Sequence, residues 1–174
     1  MKVLLTLFFF SFFSLSQSQS AVFDVARSGS LEDIEKLYRE NPEVIDSVND
    51  SGYTPLILAA YRGNQEVASF LAKRCTTIDY ISGDGTALMA AAVKGDHFIT
   101  EKILENKADP NITDTKNTTA LHYAVMFGHV GIVELLLEAG AVTSIKDASG
   151  STVHVHASRL QNEAILELLN NTKL

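Results

Sequence analysis

Cysteine occurs once, at position 75, so no intramolecular disulfide is possible and packing alone must hold the fold. With little beyond Arg74 beside it to activate a thiolate, Cys75 reads as a small apolar residue. Basic residues are also scarce: 14 Lys and Arg stand against 21 Asp and Glu, a formal charge of −7. That balance argues against nonspecific binding to nucleic acid or to an anionic membrane surface. No nucleophile elbow, S-x-x-K or phosphate-cradling loop is present, so nothing marks a catalytic centre. H-E-x-x-H and paired cysteines are missing as well. The closest histidine pair, His154 and His156, has i,i+2 spacing, and on a helix those residues do not share a face. Neither a metal nor a cofactor is therefore expected. The alternative, a ligand-, metal- or haem-binding protein using these terminal histidines, rests on them alone.

Long apolar runs are confined to the beginning of the chain. Lys2 precedes an apolar stretch from Val3 to about Leu15 that holds Phe8, Phe9, Phe10, Phe12 and Phe13. Ser14 to Ser20 is small and polar. This is the three-part order of a secretory signal, and the stretch falls short of the roughly 20 apolar residues that a membrane span needs. Small residues at Ser18 and Ser20 predict cleavage before Ala21, and no cysteine near the junction suggests a lipid anchor. Residues 1–20 are thus expected to be removed and the protein to act in the periplasm or outside the cell. Without Lys2, the one charged residue of that segment, the formal charge goes from −7 to −8.

The remainder repeats itself. Thr54-Pro55-Leu56-Ile57-Leu58-Ala59-Ala60 returns as Thr86-Ala87-Leu88-Met89-Ala90-Ala91-Ala92 and as Thr119-Ala120-Leu121-His122-Tyr123-Ala124-Val125. A weaker copy begins at Thr152, and Val25-Ala26-Arg27-Ser28-Gly29 matches the end of the motif. The Thr steps are 32, 33 and 33 residues, and Gly63, Gly95 and Gly128 keep them. Each Thr can cap a first helix, Pro55 suits its first turn, and each Gly can end it in a left-handed conformation. Ser30, Asn64, Asp96 and Asn162 are favoured caps for a second helix, with His129 in the same column. Apolar residues then recur at helical spacing, as in Ile132, Val133, Leu135 and Leu136. Glu66, Glu101, Glu105, Glu134 and Glu138 read as a solvated outer face. One unit cannot bury such a stripe alone, whereas five stacked units bury a continuous core. The units run over about 21–50, 51–82, 83–115, 116–148 and 149–174. The last is expected to be irregular, with Gln161 in the Gly column and His154 in a Leu slot.

The period and the T-P-L-H-x-A-like motif resemble the ankyrin repeat. The resemblance implies an all-α solenoid of helix-turn-helix units with β-turn fingers at Asn49–Gly52, Ser82–Gly85, Asp114–Asn117 and Asp147–Gly150. It implies a structural role for His122 and a noncatalytic module that binds a protein. It further places recognition on the fingers and on the two variable residues before each Gly, the concave side. The helix positions include Arg27, Tyr61, Arg62, Val93, Lys94, Met126, Phe127, Arg159 and Leu160; the fingers add Val48, Tyr53, Tyr80, Ile81 and Lys146. In the helix pairs there is no acid, so the expected partner presents acids beside an apolar patch. A monomer is expected in isolation. In size and layout the chain is similar to small exported bacterial ankyrin-repeat proteins, some of which accompany catalases, which implies an accessory role as an alternative. Asn111, Asn117 and Asn170 begin formal glycosylation triplets of the kind that Asx-rich turns create by chance.

Overall fold

The structure, a computed structural model, describes residues 20–171. The expected signal segment, apart from Ser20, lies outside the described residues. The helices pair in succession. A helix over 20–28 (α1) is followed by α2 (Leu31–Glu40) and a 3-10 turn, Pro42–Asp46. Next come α3 (Pro55–Arg62) and α4 (Gln65–Arg74), then α5 (Ala87–Lys94) and α6 (His97–Glu105). The last pairs are α7 (Ala120–Met126) with α8 (Val130–Glu138) and α9 (Val153–Arg159) with α10 (Glu163–Asn171). First helices pack in the series α3–α5–α7–α9, and second helices in the series α2–α4–α6–α8–α10. No helix among the described residues is long and apolar enough to cross a membrane.

The Thr column explains where three first helices begin. The hydroxyls of Thr54, Thr86 and Thr119 each accept from the amide three residues on, at 3.3 Å. This satisfies an amide that would otherwise be an orphan of the first turn. Thr152 has the same extended backbone but makes no such bond, contrary to expectation. Gly63 and Gly95 end α3 and α5 at φ 72°, where a side chain would be strained. Gln161 takes the corresponding left-handed position after α9 at φ 52° and keeps the turn bonds of the Gly column, so the backbone of the last unit is regular there, contrary to expectation, and the cost is a non-Gly residue at positive φ.

The second-helix caps divide in two. Ser30, Asp96 and Asn162 accept from amides within their own helices. Asn64 does not, which corrects the expectation from its residue type. Its amide instead donates backwards, to the carbonyls of Gly29 at 2.9 Å and Val25 at 3.3 Å. Those carbonyls lie at the C-terminal end of α1; that of Val25 already accepts from the Gly29 amide at 2.8 Å, and Asn64 adds a second bond to it. His129 makes the same backward contact, Nε2 to the Val93 carbonyl at 3.4 Å. Further side chains tie the units together. The Asp46 carboxylate accepts from the Thr76 amide at 2.8 Å, Asp79 from the Asp109 amide at 3.0 Å, and Asn111 Oδ1 from the Val142 amide at 2.7 Å.

The core runs unbroken through the stack. Val22, Ile34, Leu71, Leu88, Ile99, Ile103, Leu121, Leu136 and Ile165 are all buried. Cys75 is partly buried against them, and burial, with Asp46 nearby, pushes its thiol up to about 11, so it is no ready nucleophile. In α9 the buried apolar contact is made by Val153, while His154 is half-buried. The outer side of the last unit is more polar than its predecessors: Ser158 stands where Ala60, Ala92 and Val125 are buried.

Candidate functional site

Each finger is built on one polar residue. Asn49 Oδ1 accepts from the amides of Ser51 and Tyr53, both at 3.0 Å. Asp114 Oδ1 accepts from Lys116 at 2.8 Å and Thr118 at 2.9 Å, and Asp147 Oδ1 from Ser149 at 2.9 Å and Ser151 at 3.0 Å. Such side-chain turns hold a loop without flanking strands. In these three fingers the backbone closes over five residues, as Asn49 N to Tyr53 O, Asp114 N to Thr118 O and Asp147 N to Ser151 O. The second finger is shorter. Ser82 N bonds Gly85 O, closing over four residues, and Ser82 Oγ accepts from the Asp84 amide. The missing residue accounts for the 32-residue step between Thr54 and Thr86.

A recess of about 640 Å³ lies between the first three fingers and the faces of α3, α5 and α7. Its apolar side is Ile57, Leu58, Met89, Ala90 and Val93. Tyr53, Tyr61 and Tyr123 supply aromatic walls, and Arg27, Arg62 and Lys116 the cations. Its two carboxylates are already engaged. The Tyr53 hydroxyl donates to Asp84, and the Tyr123 hydroxyl donates to Asp114 Oδ2 at 2.6 Å. Burial alone would raise the Asp114 carboxyl, but the Tyr123 hydroxyl and the Thr118 and Lys116 amides outweigh it and hold the group below its ordinary value. Burial, reinforced by Asp114, pushes the Tyr123 phenol up to about 12.

Five of the residues expected from sequence line this recess: Arg27, Tyr53, Tyr61, Arg62 and Val93. Lys94 sits beside it with Nζ 5.2 Å from the centre of the Tyr61 ring. Arg27 is half-buried and donates to Asp24 at 2.9 Å. Val48 borders a second recess of about 440 Å³ shared with Arg27 and Phe23. The others stand elsewhere. Ile81 is exposed at the second finger, and Met126 is half-buried. Phe127 is exposed and stacks on His129 with ring centres 6.2 Å apart. Arg159 donates to Ser151 Oγ at 3.3 Å, and Leu160 is exposed at the end of α9. Sequence reasoning missed Met89 and Tyr123, and did not single out Asp84, Asp114 and Lys116 within the fingers to which it assigned recognition. One signal was available: Asp114 and Tyr123 are nine residues apart, and so are Asp147 and His156, which also pair, Nε2 to Oδ2 at 2.7 Å.

The histidines form a structural group. His122 is buried; its Nδ1 lies 2.9 Å from Thr119 Oγ1, and its Nε2 has no partner among the described residues. Burial holds the imidazole below its ordinary value. The His156 ring meets it edge-on at 6.0 Å. Hydrogen bonds from Ser149 and His156 hold the Asp147 carboxyl well below the usual range. His154 stands outside this pairing, in α9.

Stacked helix pairs with fingers and a recess along the first helices define a repeat scaffold for recognition. The family model for ankyrin repeats (3 copies) matches residues 22–114 and 88–173, and the chain belongs to the ankyrin-repeat family. It is similar to an ankyrin repeat protein of Fowlpox virus, 31% identical over 106 residues, covering 60% of this chain and 24% of that protein. It is similar to an ankyrin repeat-containing protein of Treponema pallidum, 35% identical over 82 residues, 45% of this chain and 28% of the other. Ankyrin repeat and SAM domain-containing protein 6 of Rattus norvegicus is 33% identical over 108 residues, 60% of this chain and 12% of the other. The chain therefore spans less than a third of each of these relatives. Ankyrin repeats form protein-protein interaction modules, generally noncatalytic.

Proposed function

We infer that the protein is exported and recognises its partner through the concave side of the first helices and the finger tips. The observation that carries this reading is the 640 Å³ recess, in which exposed Tyr61 and Arg62 stand over an apolar floor. Aromatic and guanidinium groups are the types that dominate binding energy at protein interfaces. Nothing in the repeat scaffold calls for them there. Export is supported by the N-terminal apolar segment. A cut before Ala21 would leave Val22, Phe23 and Ala26 on the folded side.

Two measurements test this. Sequencing the N-terminus of the protein from fractionated cells should find a start within a few residues of Ala21, outside the cytoplasm. An intact Met1 form, soluble in the cytoplasm at steady state, sinks the export reading. Affinity capture should then be run with the wild type and two double variants. Tyr61→Ala with Phe127→Ala should weaken partner binding by about 2 kcal/mol or more in total, with folding nearly intact. Glu105→Ala with Glu138→Ala, on the second-helix side, should change little. Equal binding by both variants would move the recognition surface elsewhere.

A further inference from the structure

We propose that the recess between the first three fingers receives one extended segment of the partner, in which a carboxylate side chain stands beside an aromatic or large aliphatic one. This rests on the reading that the first-helix side binds a protein, and adds what the bound segment must carry.

The apolar part follows from the floor. Ile57, Leu58, Met89, Ala90 and Val93 face a space whose volume falls within the range of ligand pockets. An apolar side chain that displaces water from this floor gains the burial, while the polar rim around it stays available for hydrogen bonds. Tyr53 is fixed as a wall by its bond to Asp84, and Tyr123 by its bond to Asp114. Walls already held in place lose little freedom on binding.

The acidic part follows from what is spent and what is not. Asp84 accepts from Tyr53. Both oxygens of Asp114 are taken, Oδ2 by Tyr123 and Oδ1 by the amides of Lys116 and Thr118. A basic segment would find no free carboxylate at Asp114, a single open oxygen at Asp84, and would face Arg62 and Lys116. Arg27 is held by Asp24, while Arg62 has no ion pair among the described residues. Arg62 therefore offers its planar fork of donors to an incoming carboxylate. Lys94, over the Tyr61 ring, adds a second positive charge at the same edge. The chain as a whole carries −7, so its field disfavours an acidic segment over most of the surface and leaves this recess as the complementary place.

The test uses the full chain and four fluorescent peptides of equal length: acidic with an aromatic residue, acidic without one, basic with an aromatic residue, and neutral with an aromatic residue. Anisotropy titrations to about 100 μM would span the affinities expected of an isolated segment. The acidic-aromatic peptide should bind at least tenfold tighter than the basic-aromatic one, and less tightly as salt rises. Arg62→Glu should weaken it at least tenfold, and Lys116→Glu should weaken it too. Glu138→Ala, on the second-helix side, should not. Circular dichroism would confirm that each variant folds. The proposal is overturned if the basic peptide binds as well, if the aromatic residue makes no difference, if Arg62→Glu is neutral, or if no peptide binds. A captured partner that binds the Arg62→Glu variant normally would sink this proposal while leaving the interaction-module reading intact.

Discussion

Leu136→Ala probes the seam between the fourth and fifth units. Leu136 is 0% exposed, on α8, which packs against α6, α7 and α10. The change takes an isopropyl group out of a closed site. Its transfer alone is worth roughly 2 kcal/mol at about 0.8 kcal/mol per carbon, and the cavity left behind adds to that, so a total of about 2–5 kcal/mol is expected. For a chain of this size the melting temperature should fall by about 4–20 °C. In a repeat stack the loss falls on one interface rather than on the whole. Amides of α9 and α10 should therefore exchange with solvent faster than those of α3 to α6. The control is Leu160→Ala, because Leu160 is 52% exposed and should cost less than about 0.5 kcal/mol. Urea unfolding followed by circular dichroism, with hydrogen exchange read by mass spectrometry, measures both. A Leu136→Ala cost below about 0.5 kcal/mol would refute the packing register, and uniform acceleration of exchange would refute the claim that the damage is local.

The other expectations are smaller and sharper. Thr86→Ala should cost about 1 kcal/mol by urea unfolding, because its hydroxyl caps α5, while Thr152→Ala should cost only a few tenths; equal costs would contradict the cap assignments. Asn64→Ala should destabilise by about 1 kcal/mol and accelerate amide exchange in α1 and α2 more than in α4, since its bonds run backwards. His122 should titrate below 6.5 in NMR, because burial disfavours its cation. Its folded value lies under its unfolded one, so its contribution to stability is complete above 6.5 and is lost as pH falls through the folded value. A midpoint at or above 6.5 would be inconsistent with the burial of this ring.

The repeat register was legible because its signals are local and periodic. A Thr caps the amide three residues on, and a Gly relieves strain at its own position, so each acts wherever it stands. The same logic misled at Thr152 and Asn64. Residue type states which bonds a side chain can make, and the neighbouring unit decides which it does make. Asn64 met carbonyl oxygens at the end of α1 and bonded to them instead of to its own helix. The ties from Asp46, Asp79 and Asn111 were invisible for the same reason, since their partners lie about 30 residues ahead. Of the site, the variable positions before each Gly led to Tyr61, Arg62 and Val93. They did not lead to Met89, Asp114 or Tyr123, which look like scaffold residues in a single repeat and become walls only when units stand side by side.

The departure from the period is where scaffold and site meet. Three fingers close over five residues and the second over four, and the short finger stands between the two that flank the recess. A shorter turn between longer ones leaves a notch, and the Tyr53 hydroxyl reaches across it to Asp84 at the short finger's tip. That bond lets the loss of one residue be tolerated: it ties the short finger to its neighbour through a side chain where the backbone is a residue short. It also uses the one proton Tyr53 can donate, so towards whatever enters the wall offers its ring and an oxygen that can only accept. A deletion that reads in sequence as an imperfect repeat is thus a local change of shape on the first-helix side. The second helices, which carry much of the acidic surface, keep their packing series across it. A solenoid can alter its recognition surface in this way because each finger has its own turn residue, Asn49, Ser82, Asp114 or Asp147, to which ties between fingers, Tyr53 to Asp84 and the Ala148 amide to the Lys116 carbonyl, are added.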